Sequence, residues 1–133
     1  MYKWISGGGR VEILSHDMSW VSDEEMKELL RSKARKDELC LCLPKEIPLS
    51  EELKKEGAQI YTYSELKYVP QSRFTIINSG RMDSQVAVGR RSGEKHVIEE
   101  FSIGKHPIFS VANDLVNLII QFDQWKRQQG QAK

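Results

Sequence analysis

The sequence predicts a mixed α/β domain, one sheet of about six strands with helices on both faces. Two patterns carry that expectation. Through residue 63 apolar segments alternate between period 2 and period 3.6 in the order strand, helix, strand, helix, strand, which implies parallel neighbours joined by right-handed crossovers. Beyond residue 72 three runs rich in β-branched residues follow one another without a helix between them, which implies an antiparallel meander.

Val11-Glu12-Ile13-Leu14, entered from the triple glycine Gly7 to Gly9, reads as the first strand, with Met18 and Trp20 packing behind it. Ser22 with Glu25 three residues on forms a capping box for a helix whose apolar positions are Met26, Leu29, Leu30 and Ala34. Glu38 to Leu43 is apolar on both faces until Pro44, as a strand covered on both sides should be. Ser50 is placed to cap a short helix through Leu53 to Glu56, and Gly57 is the residue expected just past its end. Ala58 to Tyr63 alternates as a strand.

The meander comprises Arg73 to Ile77, Gln85 to Val88 and His96 to Phe101, separated by Gly80 and by a turn at Arg91-Ser92-Gly93-Glu94. Pro107 suits the first position of a last helix, where its missing N–H has no partner to lose. Ile108, Ala112, Leu115, Val116, Ile119 and neighbouring apolar residues give that helix a broad surface to lay on the sheet, with Phe122 and Trp125 expected in the core and Gly130 at its end. If the aromatic pair is exposed instead, it offers a dimer seam.

A chain of 133 residues is sized for one domain. Residues 1–9 are expected to be a flexible leader and 10–129 the folded unit. Twenty basic against 19 acidic side chains leave no global field to draw in nucleic acid or an anionic membrane, so any such surface must be local. The longest apolar stretch, Leu115 to Ile120, is far shorter than the ~20 residues of a membrane span. The opening Met1 to Ser6 lacks a secretory core, so a cytoplasmic location is expected. Cys40 and Cys42, two apart in a strand, put both thiols on one face as small core hydrophobes, and no metal or cofactor is expected of them.

The order of these elements, with "EELKKEGAQIYTY", "PQSRFTIINSG" and "SQVAVGRR" in sequence, resembles one half of the phospholipase D superfamily over about residues 10 to 125. In that family a strand bears His-x-Lys-x4-Asp and the next often carries a small-residue run, here Val86-Ala87-Val88-Gly89. Aligned so, Gln71 stands where the family has histidine, Arg73 where it has lysine and Asn78 where it has aspartate. The family's chemistry is phosphodiester transfer through a phosphohistidine, and a glutamine amide is neither its nucleophile nor a proton shuttle. Arg73 keeps a planar cation able to hold a phosphate or carboxylate, whereas Asn78 lacks the charge that would orient a histidine. The resemblance therefore implies a half-unit that pairs as a homodimer and binds without catalysing.

The three histidines are the remaining reactive candidates. His16, with Asp17, follows the first strand at the carboxyl end where α/β proteins bind ligands. His96 shares a strand face with Ile98 and Glu100, and His106 precedes Pro107 in a turn or cap. Between Arg73 and Lys105 six basic residues face four acidic ones, and Arg81, Arg90 and Arg91 lie in or beside turns where they can meet a phosphate backbone or simply form a solvated rim. The expected ligand contacts are thus Gln71, Arg73, Asn78, Arg81, Arg90 and His16, for a phosphate-bearing ligand or nucleic acid. Two alternatives stand beside this reading. One is a divergent phosphodiesterase or nuclease acting as a homodimer through His16 or His96 with Arg73, and the other is a protein-docking domain of a larger assembly.

Overall fold

A computed structural model of the chain describes residues 5–18, 21–66, 73–78, 82–92, 95–102 and 107–131. It is an α/β fold with a six-stranded mixed sheet in the order β3-β2-β1-β4-β5-β6. The strands are β1 (Val11–Leu14), β2 (Leu39–Leu43), β3 (Gln59–Thr62), β4 (Arg73–Ile77), β5 (Gln85–Ser92) and β6 (Lys95–Ser102). Among the described residues the sheet is covered by helices α1 (Glu24–Arg35), α2 (Pro48–Glu56) and α3 (Ile108–Gln131). β1 pairs in parallel with β2, and β2 with β3. β4 pairs antiparallel with β1, and β5 and β6 continue as a meander.

Side-chain alternation along the strands splits the core in two. Val11, Ile13, Leu39, Leu41, Leu43 and Ile60 face α1 and α2, where they meet Met26, Leu30, Ala34 and Leu53. Leu14, Cys40, Cys42, Tyr63, Phe74, Ile76 and Val86 face α3, against Ala112, Val116 and Ile119. Every residue of β2 is inaccessible, which is why that run lacks polar residues at any position. Both cysteines are free thiols in this core.

Several boundaries differ from expectation. Asp23 caps α1 instead of Ser22, because its carboxylate reaches the Met26 N–H at 2.7 Å. α2 begins at Pro48, whose fixed φ suits the first turn, and Ser50 sits inside it, its hydroxyl accepting from the Ile47 N–H at 2.8 Å. The β5–β6 hairpin is tighter than expected, with Arg91 and Ser92 paired in the strand opposite His96 and Lys95. Pro107 lies one position before α3, its carbonyl accepting from Val111 N–H, and the helix runs through Gly130 instead of ending there. Trp125, expected in the core, is 57% exposed.

Residues 5–9 of the expected leader are held down. Ile5 is wholly buried, the Lys33 ammonium donates to the carbonyls of Gly8 (2.5 Å) and Gly9 (2.9 Å), and a Cβ at Gly8 would run into Ile77 Cγ2. Trp20 lies outside the described residues, while Met18 is buried at a positive φ of 60°.

Candidate functional site

Strand order fixes where a ligand can approach. β2 and β3 lie on one side of β1 and β4 to β6 on the other, and because β4 runs antiparallel to β1 the carboxyl end of β1 is also the end at which β4 begins. The loop leaving β1 is shaped by Ser15. Its N–H donates to Cys42 O (3.2 Å) and its hydroxyl accepts from Met18 N–H (3.2 Å), while Val21 N–H closes back on Met18 O (3.0 Å). This compact turn leaves His16 and Asp17 exposed at its tip.

Arg73 opens β4 at the same end. The register Leu14↔Phe74 places Arg73 across from Ser15, and Arg73↔Gly89 places it beside the end of the Val86-to-Gly89 run. Arg73 is half-buried and alternates with Phe74 and Ile76, so it stands on the side of the sheet that carries α1 and α2. On that side a groove of about 410 Å³ opens between the N-terminal ends of the two helices, lined by Asp17, Met18, Val21, Lys27, Ile47, Pro48, Leu49 and Glu52. Glu52 is engaged by Arg31 Nε at 2.7 Å, and Lys27 and Asp17 are the other charged side chains along this wall. The parallel half of the fold thus presents an amphiphilic groove, with a guanidinium and an imidazole at the same end of the sheet.

The sequence-derived candidates fall into three groups. His16 and Arg73 share this end. Asn78 is at the other end of β4, five residues from Arg73 or about 17 Å along an extended strand. There it adopts φ 58°, is nearly buried, accepts from Gly9 N–H at 2.6 Å through Oδ1 and donates its own N–H to Arg10 O at 2.8 Å. Its present work is to close the lower edge of the sheet onto the glycine run. Arg90 lies in β5 one position beyond Gly89, opposite Val97. Gln71, Arg81 and His106 lie outside the described residues, as do the side chains of Arg90, Arg91 and His96.

Reading the sequence alone missed the groove residues Lys27 and Glu52, which carry no motif. The signal was topological, since loops after adjacent parallel strands converge at one end of a sheet. It also missed Asp123, a completely buried carboxylate on the sheet-facing side of α3. Among the described residues no three His, Cys, Asp or Glu side chains gather as a metal site, and no described helix is long and apolar enough to cross a membrane. Compared with known proteins, the chain matches no family model and no curated sequence.

Proposed function

We propose that the chain is a non-catalytic, phospholipase D-like binding module that works as a homodimer and recognises a phosphate-bearing ligand, nucleic acid included, at the carboxyl end of β1. The observation that supports this reading is the pairing Leu14↔Phe74, which puts Arg73 at the carboxyl end of β1, the same end as His16. A guanidinium there offers paired N–H donors to a phosphate. No histidine stands two residues before it, where the resemblance would require the nucleophile, because that position is Gln71.

The test is binding of wild type and Arg73→Ala to short labelled DNA and RNA and to inorganic phosphate, at low and high salt, with strand cleavage followed in the same samples. Salt-sensitive binding without cleavage, weakened about tenfold or more in the variant, is the expected result for a charge-assisted contact. Cleavage lost in His16→Ala would replace this reading with the phosphodiesterase one. Indifference to every anionic probe would replace it with protein docking, which the exposed apolar residues of α3 favour.

A further inference from the structure

Helix α3 carries two apolar faces. Ala112, Val116 and Ile119 are buried against the sheet. Beside them runs a second stripe in which Val111, Leu118 and Trp125, exposed by 58%, 64% and 57%, alternate with half-buried Leu115 and Phe122. The spacing from 111 through 115, 118 and 122 to 125 is four, three, four, three, the a/d repeat of a helix–helix seam. Core packing accounts for the first face and for the inner flanks of Leu115 and Phe122, but not for Val111, Leu118 and Trp125, which stay more than half exposed.

We infer that this stripe is the surface on which a second copy of the chain docks, α3 against α3, antiparallel, with the two-fold axis at Leu118. The inference rests on the homodimer of the proposed reading but not on its anion site. Charge selects the occupant. From Ile108 to Trp125 the only exposed charged side chain is Asp114, and the stripe is flanked by Asn117, Gln121 and Gln124. Nucleic acid or an anionic membrane would need lysine or arginine beside the apolar residues. The first cations are already engaged within the chain, Lys126, which lies 5.7 Å from the Phe122 ring centroid, by Thr62 and Glu65, and Arg127 by Ile60 and Asp123. An isologous contact puts the same patch on both sides, and antiparallel pairing about Leu118 sets the one acidic residue at the edge of the stripe, Asp114, opposite the partner's Phe122 and about 12 Å along the axis from the partner's Asp114.

Size selects the direction. Leu118 is seven residues from both Val111 and Trp125, so antiparallel pairing meets Leu118 with its own mate and sets each large Trp125 against a small Val111 of the partner. Parallel pairing would stack indole on indole and leave a gap at the valines, and it would align the helix dipoles unfavourably. The stripe is ~21 Å long on a helix ~10–12 Å wide. That footprint is well below the ~800 Å² per partner of a standard stable interface, so the dimer is reversible and concentration-dependent.

Sedimentation equilibrium of the full chain over a wide concentration range tests this, with Leu118→Glu as the variant and circular dichroism as the check on folding. Wild type should dimerise, and the variant should weaken self-association at least about tenfold. Cysteine pairs supply a second measurement that does not depend on that variant, since Cys40 and Cys42 are buried. Leu118→Cys should cross-link to itself, and Val111→Cys should cross-link to Trp125→Cys in a mixture faster than to itself. Wild type that stays monomeric, a folded Leu118→Glu that dimerises unchanged, or faster Val111→Cys self-linkage would each overturn the seam. Loss of the seam with Arg73-dependent anion binding intact would leave the binding reading standing, and the opposite pattern would remove the binding reading alone.

Discussion

The wholly buried Asp123 carboxylate of α3 accepts a 2.8 Å hydrogen bond from the backbone N–H of Thr62 on the edge strand β3. Around it Arg127 pairs with the same carboxylate and donates to Ile60 O (3.0 Å), and Lys126 donates to Thr62 O (3.3 Å) and Oγ1 (3.0 Å). Side chains of one helix thereby occupy the outward backbone groups of β3, which would otherwise offer an unpaired edge to another strand. Asp123→Ala should cost about 1.5–3 kcal/mol, the worth of a hydrogen bond to a charged group plus an orphaned amide. Asp123→Asn should cost less, since its oxygen still accepts. Urea unfolding and exchange of the Thr62 amide measure this, and an alanine variant within about 0.5 kcal/mol of wild type would show that the edge does not depend on the contact.

Gly57 ends α2 at φ 121°, with Gly57 N–H donating to Lys54 O (3.1 Å) and Ala58 N–H to Leu53 O (3.0 Å). A Cβ there would lie 2.6 Å from the backbone oxygen of Ala34, so α1 and α2 can approach only because this residue has no side chain. Gly57→Ala should destabilise the fold by roughly 1–3 kcal/mol through combined backbone strain and overlap. Unchanged thermal stability would mean that the helices separate without cost.

The same two helices are tied by charge. Arg31 meets Glu24 (2.8 Å), Glu28 (3.2 Å) and Glu52 (2.7 Å), and Arg35 meets Glu28 (3.1 Å) and Glu56 (2.7 Å). Hydrogen bonds from Arg35 first and Arg31 second hold the Glu28 carboxyl below its ordinary range. A carboxylate so lowered adds stability above the unfolded glutamate value, about 4.3, and that contribution is lost as pH falls through the lower folded value. The stability gap between wild type and Arg35→Gln should therefore narrow in acid and in high salt. A gap independent of both would assign the loss to packing of the arginine stem.

The six strands were legible because each bears a local signature that tertiary context reinforces. β2 is apolar on both faces, and the hairpin from β5 to β6 is flanked by branched residues. Boundaries were less legible where neighbouring residues compete for one role, as Ser22 and Asp23 do for the α1 cap. The outward turn of Trp125 could not be read from helical spacing, because the sheet takes one stripe of α3 and composition does not say which. The candidate site was legible only at His16 and Arg73. Its groove residues Lys27 and Glu52 come together through strand order, a long-range property that no local pattern records.

Burial sets one alkaline limit on the fold. Tyr63 is 3% exposed, on the α3 side of the sheet, and burial first, with the Cys42 thiol second, pushes its hydroxyl up to about 12. Burial also raises Tyr61, and Cys42 is raised by its hydrogen bond with Cys40 and then by burial. For a tyrosine whose folded value is raised, the unfolded chain ionises first. Stability is then fully present below about 10, the unfolded value, and is lost as pH rises toward about 12. Tyr63→Phe removes the ionisable group, so its denaturation midpoint should fall less across that window than that of wild type, and tyrosinate absorbance should lose its late-titrating component. Parallel declines in the two proteins would place the alkaline weakness in the other buried groups instead.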